Sequence, residues 1–144
     1  MLRKIIATDA AKSTVLIRLM VGAVFISEGI QKFLFAEKIG AGRFEKIGLP
    51  NPAFLGPFVG SFEIICGSLV LLGLLTRLAA IPLITIMLVA IATTKVPLLT
   101  DNGFWSMLHE SRTDWAMLLC SIFLLTKGGG KWSLDREIMN QKWK

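Results

Sequence analysis

The feature that most constrains this chain is an apolar run, residues 14–35, that contains three charged side chains. A helix that crosses a bilayer needs about 20 mostly apolar residues, and this run is long enough. A charge at mid-membrane costs about 2.5–3.5 kcal/mol on insertion scales, so Arg18, Glu28 and Lys32 each need a partner or a wet cavity. We therefore expect a membrane helix with one face turned away from lipid.

That face is a narrow stripe when successive residues are placed 100° apart around a helix. The rest of the surface is Leu, Ile, Val and Met, which suits lipid, whereas small residues on the stripe allow another helix to approach closely. The residues on or beside the stripe are Arg18, Gly22, Phe25, Glu28, Gly29 and Lys32.

Three further apolar runs follow the first. The chain has 144 residues, which is enough for one compact domain. The clustering of apolar residues indicates a membrane protein more clearly than composition does, because soluble domains already contain about 45–50% apolar residues. We predict an all-α fold, an integral membrane antiparallel four-helix bundle in a single domain. The predicted helices cover residues 14–35, 53–75, 78–94 and 111–126, followed by a polar cytoplasmic tail at 127–144.

Basic residues are distributed unequally between the two sides of this predicted bundle. Lys and Arg accumulate on the cytoplasmic side of membrane proteins, which predicts a multi-pass protein with both termini in the cytoplasm. The side of the termini carries Arg3, Lys4, Lys12, Arg77, Lys127, Lys131, Arg136, Lys142 and Lys144, and the opposite side carries Lys38, Arg43, Lys46, Lys95 and Arg112.

The second predicted helix also carries a charge on a stripe of small residues. Glu63 shares its stripe with Gly56, Gly60 and Gly67, so its carboxylate should face another helix. In antiparallel helices Glu28 and Glu63 differ in depth by only about 4–5 Å, at 1.5 Å per residue. We predict a polar cluster that is either a functional site or an ion pair fixing helix register, with the basic partner of Glu63 left open. Its members are Arg18, Glu28, Lys32, Glu63 and Lys95.

Several other chemistries lack their sequence signals. His109 is the single histidine, and Cys66 and Cys120 are far apart and form no CxxC pair, so we predict no metal site. Most basic residues lie outside the apolar runs, and they form no stripe interleaved with exposed aromatics, so we do not expect nucleic acid as a partner.

Three motifs in chain order resemble the DoxX family of small membrane proteins, and together they cover nearly the whole chain. The first has the form RL-x2-G-x2-F-x3-G-x2-K, the second E-x3-G-x5-G-x2-TR-x-AA, and the third G-x-G-x2-SLD. Their residues here are Arg18, Leu19, Gly22, Phe25, Gly29 and Lys32, then Glu63, Gly67, Gly73, Thr76, Arg77, Ala79 and Ala80, and finally Gly128, Gly130, Ser133, Leu134 and Asp135.

The resemblance implies a four-helix inner-membrane protein with both termini inside, and the family's shared Lys and Glu fall on Lys32 and Glu63. Family members are named for a quinone-linked sulfur oxidation system and occur with oxidoreductase assemblies. Our leading hypothesis is an accessory protein or subunit of a quinone- or thiol-linked membrane oxidoreductase system, without catalysis of its own. A quinone would then lie beside Lys32, Glu63, Phe25 and Phe62.

Two other functions stay open. A membrane scaffold or assembly factor would bind a partner protein through its glycine faces and polar loop. A proton or small-solute permease would use Glu28 and Glu63 as titrating groups, although four tightly packed helices leave little room for an alternating site. The expected partners are the lipid bilayer, a membrane oxidoreductase or other protein subunit, and a second copy of the chain.

Overall fold

The computed structural model describes residues 5–142, and within that range the regular structure is helical, with no β-strand. The helices are α1 (Thr14–Leu34), α2 (Ala41–Lys46), α3 (Pro52–Leu72), α4 (Thr76–Ala90), a π-helical segment (Ile91–Lys95), α5 (Val96–Asn102), α6 (Phe104–Glu110), α7 (Arg112–Lys127) and α8 (Leu134–Lys142).

Within residues 5–142, three helical stretches are long and apolar enough to cross a membrane, namely Thr14–Leu34, Pro52–Leu72 and Thr76–Asn102. Large apolar side chains project from them into the surroundings, and Leu16 and Ile65 are 67% and 58% exposed. A surface of this kind is suited to lipid, so the helices contact the bilayer. Helix α7 has 16 residues, fewer than the roughly 20 that a perpendicular crossing needs.

The turn between α3 and α4 lies earlier in the chain than the sequence indicates. The second helix was expected to reach residue 75, but it ends at Leu72 because Gly73 adopts a left-handed conformation with φ of 70°. Leu74 then donates its backbone N–H to Leu69 O, which closes the last turn of the helix. Leu75 is also left-handed, with φ of 49°, and α4 begins immediately after it.

The third long helix continues beyond its predicted end at residue 94. Lys95 and Pro97 were expected to stop it, but the chain passes through the π-helical segment into α5 and remains helical to Asn102. Pro97 lies in the first turn of α5, where a missing backbone N–H is tolerated. Gly103, with φ of 83°, ends the helix instead.

The core is formed by residues from α1, α3, α4 and α7. Helix α1 packs along α3, α4 packs against α7, and α3 and α4 contact each other across the middle. The buried apolar side chains are Val21, Phe25, Cys66, Val70, Ala79, Ala80, Leu83, Met87, Met117, Leu118 and Leu124. Contributions from four helices therefore build a single core.

The segments that precede α1 and follow α7 meet at one end of the molecule, which we call the Arg18 end. Asp9 donates its backbone N–H to Lys127 O at 2.9 Å, and Lys131 donates to Ala11 O at 3.0 Å. The opposite end, which carries α2, is the Lys32 end. Of the basic residues used to predict orientation, Arg3, Lys4 and Lys144 lie outside the described residues, as does the side chain of Lys142.

A candidate binding cavity at the Lys32 end

Two glycine pairs bring α1 and α3 into close contact. A Cβ atom on Gly22 would lie 2.9 Å from Gly67 O, and one on Gly29 would lie 2.7 Å from Gly60 O. Both distances are too short for any side chain, so the two backbones touch directly. Since position 22 meets 67 and position 29 meets 60, the helices run antiparallel.

Gly56, which shares the predicted stripe of the second helix with Gly60 and Gly67, has a different neighbour. A Cβ on Gly56 would lie 2.7 Å from the backbone nitrogen of Ala41, the first residue of α2. This glycine therefore seats the short helix α2 against the start of α3. Gly56 belongs to the contact that covers the Lys32 end rather than to the α1–α3 interface.

Close packing of α1 and α3 places Lys32 and Glu63, two members of the predicted polar cluster, together. The ammonium donates a hydrogen bond to Glu63 Oε1 at 3.0 Å, and Nζ lies 2.8 Å from Oε2. The two side chains are only 9% and 4% exposed. Of the three basic residues considered as partners for Glu63, the structure selects Lys32.

The ion pair leaves one oxygen atom of Glu63 without a hydrogen-bond donor. Oε2 is buried and accepts no hydrogen bond among the described residues, although it lies beside the ammonium. Its contact with Lys32 is the ion-pair contact at 2.8 Å. Buried polar atoms in proteins are normally satisfied, so each exception needs an explanation.

Lys32 and Glu63 form part of the wall of a cavity of about 510 Å³. Helices α1, α3, α4 and α7 and the π-helical segment surround it, while α2 and the residues after it cover it. Most of the wall is apolar. Its ring-bearing side chains are Phe25, Phe44 and Phe58, and its charged side chains are Glu28, Lys32, Arg43, Glu63, Lys95 and Asp114.

A second ion pair lies on the same wall. Lys95 Nζ lies 3.2 Å from Asp114 Oδ2 and donates a hydrogen bond to the backbone oxygen of Glu110 at 3.1 Å. Lys95 is the last residue of the π-helical segment, and such segments are frequent at functional sites. The cavity thus contains Glu28, Lys32, Glu63 and Lys95 from the predicted cluster, although Lys95 pairs with Asp114.

Arg18 does not belong to this cluster, which corrects the sequence prediction. Its guanidinium is buried at the Arg18 end, where it donates hydrogen bonds to four backbone oxygens. Two acceptors come from the last turn of α3 and two from the segment after α7. They are Val70, Leu71, Gly129 and Trp132.

The third sequence motif lies at the same end. Asp135 is 1% exposed, and its two carboxylate oxygens accept hydrogen bonds from the backbone N–H groups of Leu75 and Thr76 at 2.7 and 2.9 Å. The carboxylate therefore caps the start of α4 from a distant part of the chain. Arg77 adds a hydrogen bond from Nε to Ala7 O at 2.7 Å.

Of the other residues considered from the sequence, Phe25 lines the cavity and the rest lie away from it. Phe62 is exposed and packs in a row of rings with Phe58, while Phe25 lines the cavity as expected. His109 is exposed and contacts Arg112. Cys66 and Cys120 are free thiols, and the described residues contain no cluster of three or more His, Cys, Asp or Glu that could hold a metal.

Six polar residues of the cavity wall lie outside the cluster predicted from the sequence, namely Arg43, Thr85, Thr93, Thr94, Thr113 and Asp114. Arg43 was read only as a loop charge, and Thr93 and Thr94 only as the end of an apolar run. The sequence signal that could have revealed Thr93 and Thr94 was the presence of polar residues beside the predicted end of the third long helix. The π-helical turn that directs this segment to the cavity leaves no recognisable pattern in the sequence.

Comparison with known proteins identifies relatives along most of the chain. The DoxX family model matches residues 13–96. "Uncharacterized membrane protein Rv3486" of Mycobacterium tuberculosis is 50% identical over 141 residues, covering 94% of this chain and 86% of the relative. "Putative oxidoreductase CatD" of Bacillus subtilis is 30% identical over 131 residues, covering 90% and 89%.

No solved structure matches the chain. The family match includes both glycine pairs and the Lys32–Glu63 pair, because all of them lie between residues 13 and 96. The resemblance seen in the three motifs is therefore confirmed, and the chain is a membrane protein of the DoxX family.

Proposed function

We propose that this protein is an accessory component of a membrane oxidoreductase system and that its cavity holds a lipid-soluble quinone. The observation that carries the proposal is the buried Lys32–Glu63 pair on the wall of an otherwise apolar cavity of about 510 Å³. Small-molecule sites commonly have volumes of about 300–1,000 Å³, apolar walls and a few polar groups that fix orientation.

The chemistry of the wall suits a quinone. Phe25, Phe44 and Phe58 offer apolar ring surfaces to a flat ring, and the Lys32 ammonium is a hydrogen-bond donor for a carbonyl oxygen. The name of the Bacillus subtilis relative, "Putative oxidoreductase CatD", supports the link to redox chemistry. We assign this chain the supporting role of binding, with electron transfer carried out by a partner in the membrane.

The proposal includes a four-helix bundle in the bacterial inner membrane. The segment before α1 and the segment after α7 meet at one end of the molecule. Two segments on the same side of a membrane are joined by an even number of crossings, so the three long spans require a fourth, which we assign to α7. A helix of 16 residues can cross where the bilayer thins. The Arg18 end, with Lys12, Arg77, Lys127 and Lys131, then faces the cytoplasm.

Mass spectrometry of protein purified in mild detergent tests this function. We expect quinone to co-purify with the wild type and to be lost from the double variant Lys32→Met/Glu63→Leu, which removes both charges. Lys38→Met is the matched control, because Lys38 is exposed and does not line the cavity. Absence of quinone from the wild type, both as isolated and after titration in nanodiscs, would disprove the proposal. A partner protein recovered without quinone would favour an assembly factor.

A further inference from the structure

The Lys32–Glu63 pair offers both a donor and an acceptor to a ligand. An ammonium has three N–H groups, and Lys32 donates one of them to Glu63 Oε1, its only hydrogen bond among the described residues. Glu63 Oε2 is buried and accepts none. Lys32 and Glu63 both line the cavity and their Nζ and Oε2 atoms lie 2.8 Å apart, so a ligand oxygen that enters beside the pair is close to both charged groups.

The two redox forms of a quinone differ in what they can give to this pair. A quinone carbonyl only accepts hydrogen bonds, so it would use the Lys32 ammonium and leave Glu63 Oε2 without a donor. A hydroxyl both accepts and donates, so its oxygen can accept from Lys32 while its hydrogen is donated to Oε2. Of the two forms, only the hydroxyl form can donate a hydrogen bond to the carboxylate, whose Oε2 atom is in ion-pair contact with Lys32 but accepts no hydrogen bond among the described residues.

We propose that the cavity prefers the reduced, hydroxyl-bearing form of its ligand, a hydroquinone, over the quinone. The inference rests on the proposed function, since it assumes that the cavity binds this class of molecule. It adds that Glu63 determines which redox form is held, whereas the apolar wall of Phe25, Phe44 and Phe58 contacts the ring in either form.

The size of the preference follows from one hydrogen bond to a charged group. Such a bond corresponds to roughly a tenfold or greater difference in dissociation constant. A tenfold preference for the reduced form raises the midpoint potential of the bound two-electron couple by about 30 mV. The bound couple would therefore be easier to reduce than the same couple free in the bilayer.

Anaerobic titration in nanodiscs tests the inference. Wild-type protein is titrated with decylubiquinone, with chemically reduced decylubiquinol, and with the dimethyl ether of that quinol, which keeps both oxygens but loses both hydrogens. We expect the quinol to bind roughly tenfold or more tightly than the other two. The ether makes the test independent of any variant, because it removes the hydrogen-bond donor from the ligand instead of the acceptor from the protein.

Substitution of Glu63 tests whether this residue determines the preference for the quinol. Glu63→Gln should reduce the quinol-to-quinone affinity ratio towards one, whereas Glu37→Gln, at an exposed position outside the cavity wall, should keep it. Equal affinities for quinone and quinol in the wild type, or tighter binding of the quinone, would overturn the inference and leave the proposed function standing. Binding of neither form would overturn both.

Discussion

Gly29 and Gly60 face each other across the α1–α3 contact so closely that a Cβ on Gly29 would lie 2.7 Å from Gly60 O. Lys32 is three residues further along α1 and Glu63 three residues further along α3. The absence of side chains at the glycines therefore determines how near the ammonium and the carboxylate can come.

We expect Gly29→Leu to separate α1 from α3 and to lower stability by about 1–3 kcal/mol, the usual cost of overpacking. Thermal unfolding in detergent, followed by size-exclusion chromatography, measures the loss. Ala23→Leu is the control, because Ala23 lies on the same helix but is exposed. Equal melting temperatures for the two variants would show that the glycine contact is not close in the folded protein.

The Lys32–Glu63 pair should respond differently to single and double substitution. Lys32→Met alone leaves a buried carboxylate without its partner, which we expect to cost about 3–5 kcal/mol. Adding Glu63→Leu removes the remaining charge and should recover most of this loss. Denaturation in SDS compares the variants, with Lys38→Met as a neutral control. A double variant as unstable as the single one would mean that packing, not charge, accounts for the effect.

Substitution of Arg18 should loosen the Arg18 end. Arg18→Met removes the hydrogen bonds to Gly129 and Trp132, so the segment after α7 is held less firmly against α1. We expect limited proteolysis after Lys127 to become several times faster, while Lys131→Met, at an exposed position, leaves the rate unchanged. Cleavage at the wild-type rate would contradict this role for the guanidinium.

Asp135 caps α4 although it lies far from that helix in sequence. Asp135→Ala should destabilise the protein by about 0.5–2 kcal/mol, the range measured for helix caps, because the N–H groups of Leu75 and Thr76 lose their acceptor. Glu137→Ala is the control, because it removes an exposed carboxylate from the same helix. Chemical denaturation in detergent gives the two values, and equal values would contradict the capping role.

The sequence was sufficient to predict an all-helical membrane protein and the partial burial of its charges. Glu63 and Lys32 could be related because helix periodicity assigns a face, and the rise per residue assigns a depth, to each side chain. The same reasoning failed for Arg18, since depth alone does not reveal that its guanidinium bonds backbone oxygens in the last turn of a neighbouring helix. Nor could it extend the third long helix, because a π-helical turn depends on the packing around it.

The hydrogen bonds of Arg18 also bear on how the chain is made. Its acceptors lie in four residues that are synthesised later, and Gly129 and Trp132 follow the last long helix. While α1 enters the bilayer, the guanidinium must therefore rely on water and lipid headgroups, which its place near one end of the helix allows. It reaches its final partners only when synthesis has passed α7, so a chain truncated before Gly128 would insert α1 with half of these acceptors missing.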